Sequence, residues 1–418
     1  MMLGLNKALQ AMPAAVACCM VLNPRWSTLP LAIWFLLVVA FEVVNGFRFG
    51  SPWMERRSLP SAFQWFGGGS VLLYALMAMG LGWTENSEAG WFALEVKFSL
   101  LLIPLLMLHH WKRQGRAGLK WVPFSMAGGL VAFMILRLTI AGFSGDPDMW
   151  RYDGLAGPFH PTYMGLYLVM MPVLLARDWR FYGVILALTG LFVGMLASKA
   201  GWIVAALLWG GMIALNKDGR RLRPMGVAIG LAGVFIGSWL GDGGRWSEFA
   251  RFVSSEVVSQ PISPTEVEVE PLLSEQAMPA KTGSSAGRMQ AWQASVDVLL
   301  KTPLGVGTGD VTDALCEEYR KSGSAYALQK RMNPHSAWLQ LAVSHGWMGL
   351  VFILFWWSGV VVLAFRTQNV LLLVWSIAWA LNGTIESLLE LQQGVVPTVL
   401  LCCVFALRDS PRLKPIQD

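Results

Sequence analysis

The sequence predicts an all-α, polytopic membrane protein with about 12 transmembrane helices and one large polar loop. Three observations carry that reading. Hydrophobic residues make up 55% of the 418 positions and charged residues only 14%, with a mean hydropathy of +0.50. The apolar residues stand in uninterrupted blocks rather than amphipathic stripes, and about twenty such residues cross roughly 30 Å of hydrocarbon. Many of the 21 tryptophans fall near block ends, where an amphipathic ring sits at the membrane–water interface.

Reading the blocks against Pro, Gly and charge places spans near 4–22, 29–47, 62–83, 91–110, 121–143, 161–176, 181–197, 200–215, 225–241, 337–365, 370–387 and 395–407. In the first, Lys7 followed by an apolar stretch to Leu22 shares features with a secretory leader, and Ala15-Val16-Ala17-Cys18 resembles a lipoprotein cleavage site. Because so many spans follow, it reads as a retained helix. The sixth span is short and the tenth long, which predicts a re-entrant, tilted or protruding helix. Three units result: residues 1–241 with nine helices, an external loop domain at 242–336, and residues 337–418 with three more helices.

Charge sets the orientation. Alternate connections hold eighteen Lys and Arg, in clusters such as Lys112, Arg113, Arg116 and Lys120, whereas the intervening short ones hold three: Arg25, Arg151 and Lys199. The positive-inside rule then puts both termini in the cytoplasm. The net charge of +6 follows largely from this topology and gives no argument for nucleic acid. The five cysteines (Cys18, Cys19, Cys316, Cys402 and Cys403) form no zinc spacing and supply no disulfide within the polar segment.

Lys97 and Arg137 fall inside spans, toward their external ends, and Lys199 stands at a tight external turn. Intramembrane charges are costly and usually serve a site, a pathway or a partner. Two readings stand here. Lys97 pairs with Glu95 while Arg137 snorkels to the interface, or the three cations form an anion site suited to phosphate. Glu386 and Glu390, near the external end of the eleventh span, are alternative partners for these cations.

Within 242–336, the stretch from Gln260 to Pro271 reads as a flexible acidic linker. Arg288 to Lys301 then reads as a helix with Trp292, Val296, Leu299 and Leu300 on one face and Arg288 at that face's edge. Gly305-x-Gly-x-Gly follows a helix rather than a strand, so it reads as a turn with weak phosphate-binding potential. A second short helix runs through Tyr319.

The segment ends in Asn333-Pro334-His335-Ser336. Asn333 suits a helix N-cap and Pro334 the first helical position, which puts His335 in the first turn of the tenth span. The positive end of a helix favours a neutral imidazole, able to take a hydroxyl proton, and its free N–H groups suit phosphate oxygens. The alternative is an interfacial histidine hydrogen-bonded to a loop. His160, before Pro161, is a second candidate for the same site, whereas His345 reads as structural. Gly346 and Gly349, three apart, read as a place where another helix approaches closely.

His335-Ser336, nine residues, then Gly346-x-x-Gly349 resembles the signature of bacterial O-antigen ligases, within the O-antigen ligase/polymerase superfamily. The large preceding loop, with its arginine-led helix ending in Pro-x-Gly-x-Gly, is similar too. The resemblance covers residues 195–350 well and the first half mainly in span count. It implies a GT-C-like glycosyltransferase of the bacterial inner membrane, working at the periplasmic face. The implied reaction transfers a glycan from undecaprenyl pyrophosphate to lipid A–core oligosaccharide, with inversion and without metal or cofactor. His335 would be the general base and Arg288 would hold the pyrophosphate, with Lys199, Arg137, Lys97 and His160 as further contacts. Lys199 stands where family members commonly carry arginine, keeping the charge but losing the bidentate fork. A polymerase and a protein O-oligosaccharyltransferase share the donor. A lipid-glycan transporter fits the span number, but the sequence lacks a convincing internal repeat.

Overall fold

The computed structural model describes residues 2–45, 58–175, 182–214, 222–241 and 284–408, and all regular structure among them is helical. The helices are α1 (Met2–Leu22), α2 (Thr28–Val44), α3 (Ser61–Gly80), α4 (Ser87–Lys97), α5 (Ser99–Gln114), α6 (Val122–Ser144), α7 (Tyr152–Ala156), α8 (Pro161–Leu175), α9 (Tyr182–Met195), α10 (Lys199–Ala214) and α11 (Leu222–Leu240). Then come α12 (Ser284–Lys301), α13 (Val311–Lys321), α14 (Ala325–Gln329), α15 (Ala337–Arg366), α16 (Val370–Gly383) and α17 (Gln392–Arg408). The acidic linker lies outside the described residues.

Six stretches among these residues are long and apolar enough to cross a membrane: Met2–Leu22, Pro24–Val44, Ser61–Trp83, Ser87–Gln114, Leu119–Ser144 and Ala337–Arg366. The chain is a multi-pass membrane protein. Other apolar helices, including Pro161–Leu175 and Val370–Gly383, are shorter.

The short α8 lies inside the bundle. Every residue from Pro161 to Leu174 is buried, as expected of a helix that is apolar on all sides and enclosed by others. Prolines in two neighbouring helices free carbonyls that side chains then satisfy. Pro104 in α5 cannot donate to the Leu100 carbonyl, and the Ser70 hydroxyl of α3 donates there instead at 2.7 Å. Pro397 in α17 likewise frees the Gln393 carbonyl, which accepts from the Tyr167 hydroxyl of α8. Such repair is needed where no water reaches the backbone. The parallel pair α9 and α11 approaches closely through glycines. A Cβ on Gly190 would strike the Gly230 carbonyl, and one on Gly194 the Val234 carbonyl.

The long tenth span is broken. His345 (φ −127°, ψ 16°) and Gly346 (φ 64°, ψ −155°) interrupt α15, and the positive φ favours glycine at the second position. The break strands carbonyls and an N–H that an intact helix would pair internally. The glycine-rich turn after α12 takes them up. Val306 N donates to Val343 O at 3.0 Å, Gly307 N to Ser344 O at 2.9 Å, and Trp347 N to Pro303 O at 3.0 Å. Gly305 and Gly307 carry φ of 83° and 103°, and a Cβ on Gly305 would run into the backbone of Ser344, His345 and Gly346. The Gly-x-Gly-x-Gly turn is therefore an inserted backbone latch, which accounts for its glycines without a phosphate. The Gly346 and Gly349 pair likewise differs from expectation: it serves a helix break seated on a loop, not a helix–helix crossing.

Side chains extend the latch. Thr308 Oγ1 donates to Met77 O of α3 at 2.6 Å, and Asp310 accepts from Glu85 N at 2.8 Å and Asn86 N at 2.7 Å ahead of α4. Behind it, Ala291, Ala294 and Val298 of α12 join Val311, Leu315 and Tyr319 of α13 and Val343 of α15 in a small core of their own. The sequence expectation put Val296 and Leu300 on the buried face of α12, yet they are exposed. Small residues at 291 and 294 let the neighbouring helices approach more closely, and that rotates the larger side chains outward.

Candidate functional site

Glu386 is the point where the site residues meet. It lies in the connection between α16 and α17 and is 5% exposed. Buried non-helical backbone requires hydrogen-bond partners, and this connection has them. Ser387 Oγ accepts from Ser336 N at 3.2 Å, while Ser387 O accepts from the Tyr163 hydroxyl at 3.1 Å. Gln393 Oε1, at the start of α17, accepts from His160 N at 3.2 Å.

Three cationic or ionisable side chains surround the carboxylate. His335 Nδ1 lies 3.4 Å from Glu386 Oε1, and Arg288 Nη2 and His160 Nδ1 lie 3.7 Å and 3.9 Å from Oε2. They come from the segment before α15, from α12 and from the residue preceding α8. Burial pushes the Glu386 carboxyl up, but contact with His335 and the charges of His160 and Arg288 outweigh it, leaving it below the ordinary carboxylate value. Burial, opposed by Glu386, holds His160 below the ordinary imidazole value.

His335 differs from expectation in its backbone. The helix begins at Ala337 with Ser336 as N-cap, its Oγ accepting from Leu339 N at 3.4 Å. His335 therefore precedes the cap and takes a left-handed φ of 45°. Asn333 accepts the His335 N–H at 2.9 Å, so it closes a turn around the histidine rather than capping a helix. Trp292 Nε1 of α12 donates to His335 O at 3.4 Å. A left-handed non-glycine residue costs about 1–2 kcal/mol, and here it turns the imidazole onto Glu386.

The remaining predicted residues divide. Lys97 is 2% exposed and pairs with Glu390 at 2.8 Å, not with Glu95. Arg137 donates to Leu155 O at 3.2 Å and to Gly154 O, gripping the end of α7. Lys199 is half-buried at the start of α10. The structure thus gathers Arg288, His335 and His160 around Glu386 and gives Lys97 and Arg137 protein partners. A 910 Å³ cavity opens between α2, α4, α5 and α17, lined by Leu31, Phe35, Trp91, Phe92 and Phe98 with Glu95 and Gln392. His335 does not line it.

A single stretch of the chain spans α9 to the middle of α15 and contains Lys199, Arg288 and His335. This stretch, residues 184–354, matches the family model described as O-Antigen ligase. Over these residues the chain is similar to the O-antigen ligase family. No curated protein sequence matches it. The O-antigen ligase region ends before Glu386, and it begins after Lys97, Arg137 and His160. Within the site, then, the superfamily match holds the imidazole and the guanidinium, while their shared carboxylate comes from the helices that follow.

The sequence did offer Glu386 as a partner for cations, together with Glu390, but could not separate the two. The available signal was an acid at the end of an apolar block. Ser387 and Tyr163, which fix the connection, gave no such signal, and Asn333 read as a helix cap rather than as the acceptor for His335 N.

Proposed function

We propose that this chain is an O-antigen ligase. It transfers a glycan from undecaprenyl pyrophosphate to a lipid A–core sugar at the periplasmic face of the bacterial inner membrane. The superfamily implies lipid-linked glycan substrates. The observation that carries the reading is the convergence of His335 and Arg288 on one buried carboxylate. An imidazole there can take the acceptor hydroxyl proton. A guanidinium beside it can hold the departing pyrophosphate by charge-assisted, two-pronged hydrogen bonds. Attack on the face opposite the leaving group inverts the anomeric centre. A fixed cation stabilises the developing charge without reorganisation at the moment of reaction.

Purified protein, a polyprenyl-pyrophosphate-linked glycan and detergent-dispersed lipid A–core test this directly. Product is expected without nucleotide, with His335→Ala and Arg288→Ala inactive at unchanged membrane levels. Full transfer by His335→Ala would remove the base assignment. In cells lacking the chain, core without attached glycan and accumulated lipid-linked polymer are expected. A core carrying a single repeat would identify a polymerase instead.

A further inference from the structure

Glu386 Oε2, Arg288 Nε and His335 Nδ1 are buried and make no hydrogen bond among the described residues. His335 Nδ1 lies 3.4 Å from Glu386 Oε1 and Arg288 Nη2 lies 3.7 Å from Oε2, whereas closed charge-assisted bonds run about 2.7–2.9 Å. One carboxylate thus stands between a guanidinium and an imidazole, bonded tightly to neither. Its two oxygens are already divided: Oε1 faces His335, and Oε2 faces Arg288 and His160.

We propose that Glu386 is a shared positioning residue for transfer: it orients His335 through Nδ1, and it gives up Arg288 when the anionic donor arrives. The proposal rests on the ligase reading above. With Nδ1–H directed at Oε1, the tautomer is fixed and Nε2 becomes the basic nitrogen. The acceptor O–H bond then breaks toward Nε2 while the acceptor oxygen forms its bond to the anomeric carbon. The carbon–oxygen bond to phosphate breaks, and its electron pair leaves with the pyrophosphate. Donor phosphates draw Arg288 from Oε2, so the carboxylate's charge falls wholly to the imidazolium as it forms. The imidazolium afterwards returns its proton to water. Binding and proton acceptance are coupled through one side chain, and the carboxylate itself stays ionised.

Other groups bear on this carboxylate. His160 faces Oε2 from the start of α8, Tyr163 is tied to the neighbouring Ser387 carbonyl, Glu390 follows on the same connection, and Asp153 of α7 acts on His160.

The test is Glu386→Gln, assayed with a polyprenyl-pyrophosphate disaccharide donor. Glutamine keeps the shape and removes the charge. A kcat loss of about 100-fold or more is expected, on the scale by which removing such a carboxylate disables a histidine base elsewhere. The donor KM should stay equal or fall, because Arg288 no longer has a competing partner. The acid limb of the rate profile should move to lower pH, since an imidazolium without its carboxylate is harder to form. Unchanged kcat with an unmoved acid limb overturns the proposal. A donor KM that rises as kcat falls, with a lowered melting temperature, overturns it in favour of a purely structural carboxylate.

Glu386→Asp covers the case in which glutamine does not fold. It keeps the charge but withdraws it by one methylene, so the acid limb should hold while kcat falls about 10-fold or more; an undiminished kcat overturns the orienting role. His335→Ala separates the two levels. If it is inactive while Glu386→Gln is fully active, the ligase reading stands and this inference fails. If both are active, the reading itself fails.

Discussion

Lys97 Nζ lies 2.8 Å from Glu390 Oε2, joining the end of α4 to the connection before α17, with the lysine side chain 3% exposed and the glutamate 20%. Removing one partner strands the other. Lys97→Met is expected to cost about 3 kcal/mol, the low end for a broken buried pair because Glu390 keeps some contact with water. Thermal unfolding in detergent measures this. A Lys97→Met/Glu390→Leu double variant should recover most of the loss and keep transfer activity, because the pair holds structure rather than phosphate. A double variant that is stable but inactive would return Lys97 to the substrate.

Gly346→Ala attacks the latch. The substitution puts a side chain at φ 64° and into the backbone of Pro303 and Leu304. Left-handed strain and overpacking together predict a loss of about 2–4 kcal/mol. Limited proteolysis should show it first as faster cleavage within 302–336, before the membrane helices unfold. Cleavage at the parental rate would mean that the turn does not depend on the break.

Tyr167→Phe leaves the Gln393 carbonyl without the hydroxyl that replaces the N–H missing at Pro397. A buried, unpaired carbonyl costs about 1–3 kcal/mol. Restoring the backbone donor by Pro397→Ala in the same chain should recover stability, which a simple packing defect would not allow. The readout is the melting temperature of the single and double variants.

Acid should weaken the protein in two steps. The His160 imidazole lies below its ordinary value in the fold, chiefly through burial. The unfolded chain therefore takes up that proton first, and stability falls as pH drops below the ordinary imidazole range. The lowered Glu386 carboxyl contributes stability above the ordinary carboxylate value, lost as pH falls through its lower folded value. Melting temperatures across pH 3–8 should show both steps. His160→Asn should reduce the upper one and Glu386→Gln the lower. A wild-type curve flat between pH 5 and 7 would contradict the first.

Apolar block length and charge alternation made the helical membrane architecture legible, because both are properties of single segments read one at a time. The break in α15 was not legible. His345-Gly346 sits inside an apolar block, and its cause is a loop some forty residues earlier that supplies the missing backbone partners. The site was half legible. Arg288 and His335 stood out by residue type beside a helix start and through family resemblance, but the turn around His335 depends on Asn333 acting two residues on. Lys97 was legible as an intramembrane cation with Glu390 among its candidate partners, whereas the partners of Arg137 were not legible. Pairing across helices is set by packing, and Glu390 and the α7 carbonyls are distant in sequence or unmarked.

The broken helix has a mechanical consequence. On the near side of the break Val343 joins the small core of α12 and α13, while Ala337 and Leu341, like Ile353 to Ala364 beyond the break, belong to the apolar body. Bilayers differ in thickness, and long spans answer by tilting. A continuous α15 would carry that tilt straight to His335 and to the helix bearing Arg288. With the rod interrupted at Gly346, its two pieces are joined through the backbone of the 303–307 turn, which bonds to Val343 and Ser344 on one side and Trp347 on the other.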